Sequence, residues 1–87
     1  MFKVLVSVFD KVSGLYSPVM TEINADSAIR NFKIGAKQNP QINASPEDYC
    51  LVLLGTFDDE SGVIVPVEPS NGSPTILFQA KDLFPAE

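Results

Sequence analysis

The sequence has no histidine, no tryptophan, a single cysteine (Cys50) and only six lysines and arginines in 87 residues. Without histidine it lacks the commonest general base and the commonest metal ligand. One cysteine excludes an internal disulfide, and a reducing compartment is the default expectation. Eleven carboxylates outweigh the six cations, leaving a net charge of −5. Such a surface repels nucleic acid and anionic lipid on average, so binding either needs a local exception. No apolar run approaches the ~20 residues of a spanning helix. Residues 1–10 carry one cation, a short apolar run and no small-residue cleavage site, and so fail as a signal peptide. The five glycines stand singly, so there is no glycine-rich phosphate loop.

What remains is ordinary globular material. Hydrophobic residues make up 45% and charged residues 20%, which argues against whole-chain disorder. The length suits one modest core and not a cleft between two lobes. Residues 2–9 alternate as a strand, with Phe2, Val4, Val6 and Val8 on one face and Lys3, Leu5, Ser7 and Phe9 on the other. A turn at 11–14 with Gly14 leads to an edge strand over 15–22, marked as an edge by Pro18. Asn24 is a good N-cap for a helix over 25–38, whose Ala25, Ala28, Ile29, Phe32 and Ala36 form one apolar stripe. Gly35 inside that helix suggests close packing against a neighbour. Asn39-Pro40 ends the helix, and 39–48 reads as a polar loop.

The third strand, 49–57, places Tyr49, Leu51, Leu53 and Phe57 on one face and Cys50, Val52 and Leu54 on the other. A hairpin loop over 58–62 with Gly62 leads to a fourth strand over 63–67, again an edge because of Pro66. The expectation is an α+β fold: a four-stranded, mostly antiparallel sheet with one covering helix (ββαββ) over 1–69. Residues 70–87 are then a linker and tail, helix or strand, docking on the same or a neighbouring subunit. Two strands apolar on both faces need a second cover. The tail or another copy of the chain could supply it. A two-fold homodimer is therefore expected, with Leu5, Phe9, Ile76, Phe78 and Phe84 as interface candidates.

Candidate chemistry is sparse. Asp58, Asp59 and Glu60 adjoin one another, without the alternate ligand spacing of a calcium loop, and suit a solvated hairpin tip. Cys50 sits among Leu and Val, as a buried structural thiol would. No catalytic constellation exists, so a non-enzyme without metal or cofactor is expected. The one clustered charge feature is Arg30, Lys33 and Lys37, at i, i+3 and i+7 along one helix flank. It serves either as a solvated helix face, as a contact for a protein partner, or as a phosphate-contacting stripe. In the last case Tyr16 is available for base stacking.

A further pattern lies in Pro46-Glu47-Asp48-Tyr49, Leu54-Gly55-Thr56-Phe57-Asp58 and Ser61-Gly62 before Val63-Ile64. With Val8-Phe9-Asp10, Tyr16, Pro18 and Ala28-Ile29-Arg30-Asn31-Phe32, it resembles the small nonstructural protein of gokushoviruses. These are Microviridae, bacteriophages with circular single-stranded DNA. The likeness spans roughly 2–69. It implies a non-enzymatic accessory of viral single-stranded DNA replication or packaging with weak single-stranded DNA binding, in the cytoplasm of the bacterial host and off the membrane. Two other readings stay open: a protein–protein module that binds a phage or host replication factor without touching DNA, and an acidic imitation of DNA.

Overall fold

A computed structural model describes residues 1–68 and 72–84. Its elements are β1 (Phe2–Asp10), β2 (Leu15–Tyr16), β3 (Met20–Glu22), α1 (Ala25–Lys37), α2 (Pro40–Ala44), β4 (Tyr49–Asp58), β5 (Ile64–Pro66) and β6 (Thr75–Gln79). Short 3-10 turns occupy Pro46–Asp48 and Ala80–Leu83. The fold is α+β, as the sequence pattern requires. Among the described residues it has six antiparallel strands and two helices, which corrects the expected ββαββ count.

The correction has two causes: the expected edge strand over 15–22 is broken into β2 and β3, and the tail adds β6 to the sheet. β1 and β4 pair along their length in the centre. β2 and β3 both pair with the outer side of β1, while β5 and β6 both pair with the outer side of β4. Between β2 and β3, Pro18 has no N–H to donate, and Ser17 bridges the gap instead. Its hydroxyl accepts from the Val8 N–H at 2.9 Å, and its carbonyl accepts from the Ser7 hydroxyl at 2.7 Å. The tail continues the sheet as β6 and then turns, with Ala80 and Leu83 joining the core. The expected boundary at 69 thus lies between two strands that share one neighbour, β4, and part of the expected linker lies outside the described residues.

Sequence and structure agree closely on α1. The Asn24 side chain accepts from the Ser27 N–H at 2.8 Å, and Ala28, Phe32 and Ala36 are buried on β1 and β4 with Val6 and Leu51. The expected polar loop after α1 is instead α2, with Asn39 as N-cap and Pro40 in its first turn, and its Ile42 is buried in the same core. Gly35 does not mark close packing, since a Cβ there would meet nothing within 4 Å. It borders a cavity of about 230 Å³ between α1, β1 and β3, lined also by Met20, Phe32 and Ile42.

Directly paired residues of antiparallel strands share a face, so the register identifies the side away from the helices. It carries Lys3, Leu5, Ser7 and Phe9 of β1, Cys50, Val52, Gly55 and Phe57 of β4, and Tyr16, Thr21, Ile64, Pro66, Ile76 and Gln79 from the flanking strands. Phe57 is a correction. A bulge sets Leu53 opposite Val6 but Gly55 opposite Leu5. That extra residue reverses the in–out alternation beyond it, so Phe57 pairs with Lys3 on the far face.

Candidate nucleic-acid interface

The site begins with the two ends of α1. Asn24 satisfies a first-turn N–H, and the Asn43 side-chain amide donates to the Ala36 and Lys37 carbonyls at 3.1 and 2.9 Å. A helix closed at both ends holds its flank rigid. Arg30, Lys33 and Lys37 lie along that flank, all exposed, and Lys37 in the last turn suits the negative end of the helix dipole. Asp26, exposed in the first turn, sits at the positive end and closes the row.

The flank has a definite orientation over the sheet. The Lys33 ammonium lies 5.0 Å from the centroid of the Phe78 ring on β6, within cation–π range. On the other side of α1, the Asn31 amide donates to Glu22 of β3 at 2.9 Å. The basic row therefore faces the β6 side, and Asn31 faces β3. The turn Ala80–Leu83 follows β6 and packs against α1. It adds Lys81, exposed, and ends at Phe84, which is 37% exposed.

The six cations divide into two groups. Lys3 pairs with Asp59 at 3.5 Å, and Lys11 donates to the Gln79 side chain at 2.9 Å and the Glu47 carbonyl at 3.2 Å. Among the described residues, Arg30, Lys33, Lys37 and Lys81 make no ion pair. Lys81 was not legible as a member of this group, because only the turn after β6 brings it beside α1.

The remaining candidates are placed as follows. Tyr16 is away from the basic flank: it pairs with Phe9 on the far sheet face, their rings 4.6 Å apart. Leu5, Phe9 and Ile76 share that far face. Phe78 does not, for it packs edge-on against Phe32 with ring centroids 6.2 Å apart and belongs to the helix-side core. Phe84 lies beyond the last turn, on neither set.

The carboxylates of the hairpin tip hold the start of β1. The Met1 amine is 2.9 Å from Asp59 and 3.5 Å from both Asp58 and Glu60. Hydrogen bonding from that amine lowers the Asp59 pKa, and the Ser61 hydroxyl does the same for Asp58. Cys50 is fully buried, and its burial pushes the thiol pKa up, away from nucleophilic use. No group of three or more Cys, Asp or Glu side chains suited to a metal ion occurs among the described residues. No helix there is long and apolar enough to cross a membrane.

No curated protein and no solved structure matches the chain. A family described as Phage ORF5 protein matches residues 3–83, from the start of β1 to the last turn. The elements that build the basic flank and its floor thus all lie within the matched span, and the chain belongs to the phage ORF5 protein family.

Proposed function

We propose that this phage protein is a non-enzymatic, nonstructural accessory of viral single-stranded DNA replication or packaging, of the gokushovirus kind. It works in the cytoplasm of the bacterial host and holds single-stranded DNA weakly along α1. The observation that supports this is the division of the cations. Eleven carboxylates are available, yet none lies within ion-pair distance of Arg30, Lys33, Lys37 or Lys81 among the described residues. Seven residues of helix span about 10 Å, long enough to reach more than one phosphate of a flexible single strand. Base stacking by Tyr16 drops out of this reading, since Tyr16 pairs with Phe9 on the far sheet face.

The chain's own charge limits the affinity. Three phosphate contacts on a single strand give a slope of log K against log salt near −2, and a fourth through Lys81 takes it toward −3. Duplex DNA binds no better, since α1 lacks the polar base-reading set of a major-groove helix. The test is fluorescence anisotropy of a labelled oligothymidine over about 20–200 mM salt. A slope between about −2 and −3 supports the reading. Absence of binding at the lowest salt overturns it in favour of a protein–protein module, which the largely apolar far face favours.

A further inference from the structure

We infer that the sheet face turned away from the helices is the interface of a two-fold dimer, its occupant a second copy of the same chain. This inference does not depend on DNA binding.

Cover from within the chain is accounted for first. The tail, the expected alternative cover for this face, is built into the plane of the sheet as β6, and its final turn goes to the helix side. Yet the accessible part of the face is apolar along its length, with Phe9 and Tyr16 at one end, Leu5 and Ile76 in the middle, and Phe57 and Ile64 at the other; Val52 beneath them is already buried. Tyr16, Ile64 and Ile76 are 47%, 61% and 42% exposed.

Charge selects the occupant. On a protein of net charge −5, two copies repel through most of their surface. The strand positions on this face carry no carboxylate. Its one charged strand residue is Lys3, at the end of the sheet and already paired with Asp59. Lys11 reaches the opposite end and is held by Gln79. A neutral face on an acidic protein is where two identical chains can meet without like-charge cost, and closed two-fold pairs are the commonest assembly. Stacked sheets keep strands within about 30° and side chains interdigitate across ~10 Å.

Size sets the strength. Strands four abreast at ~4.8 Å and about seven residues of strand give a face near 20 by 20 Å. Two copies then bury on the order of 1,000 Å² in total, the lower bound for a specific interface. The dimer is therefore of modest affinity and shows concentration dependence.

Sedimentation equilibrium of the full chain between about 5 and 300 μM tests this. The expected result is a monomer–dimer equilibrium that Ile76→Glu shifts at least tenfold toward monomer. Ile64→Glu should act in the same direction, and Ile34→Glu, on the exposed side of α1, should leave it unchanged. Circular dichroism verifies the fold of each variant, and Ile64→Glu decides should Ile76→Glu not fold. A wild type that stays monomeric at the highest concentration overturns the inference. So does a folded face variant that dimerises like the wild type, or an Ile34→Glu variant that dissociates equally.

Discussion

The Lys33 ammonium lies 5.0 Å from the centroid of the Phe78 ring, which ties the basic flank of α1 to the tail strand β6. The same ring meets Phe32 edge-on from below. One residue of the tail thus both completes the core and carries the proposed DNA-contacting row.

Gly35→Ala should stabilise the protein. The position is helical, borders the cavity under α1 and would place its Cβ more than 4 Å from any neighbour. Replacing glycine by alanine in a helix interior is worth about 1 kcal/mol. For a domain of this size that corresponds to a melting temperature about 4–8 °C higher. Differential scanning calorimetry checks it, and an unchanged or lower midpoint contradicts it.

Gly55→Ala should do the opposite. Its Cβ would stand 2.6 Å from the Val65 carbonyl oxygen and 3.2 Å from the Pro66 Cα, both backbone atoms that cannot rotate aside. β5 must move off β4, at a cost of about 1–3 kcal/mol. Urea unfolding reads the loss, and amide exchange should show it concentrated at the β4–β5 pairs.

Acid should loosen the hairpin that follows β4. The Asp58 carboxylate accepts from the Ser61 hydroxyl at 2.7 Å and the Glu60 N–H at 3.1 Å, and the serine bond is the first cause of its lowered pKa. A carboxyl whose pKa is lower in the folded state contributes stability above its unfolded pKa, about 3.9. That contribution is lost as pH falls through the folded value. A carbon-detected NMR titration should place the Asp58 midpoint below that of an unstructured aspartate, and Ser61→Ala should move it upward. A midpoint unchanged by Ser61→Ala contradicts the assignment.

Much of the fold is legible in the sequence because it rests on local signals. Asn24 and the 3.6-residue stripe mark α1, and Gly14 and Gly62 adopt positive φ at turns, as their positions suggest. The misreadings have physical causes. Asn39-Pro40 is equally a stop for one helix and a cap with a first-turn proline for the next, and only the burial of Ile42 on the core separates the two. The bulge at Leu54 has no side-chain signature, yet it moves Phe57 to the other face. Tyr16 was grouped with the basic row by chemistry alone, and strand register places it with Phe9 instead. Lys81 required knowledge of where the tail folds.

Binding of single-stranded DNA by charge-reversed protein tests the central claim most directly. Lys33→Glu together with Lys37→Glu leaves the buried stripe of Ala28, Phe32 and Ala36 intact, so the fold should persist by circular dichroism. Each lost contact should also remove about 0.7 from the salt slope. The account predicts that the double variant no longer shifts the anisotropy of a labelled oligothymidine at low salt, where the wild type does. A folded double variant that binds like the wild type, with the same salt slope, would contradict it and leave the basic flank a solvated helix face.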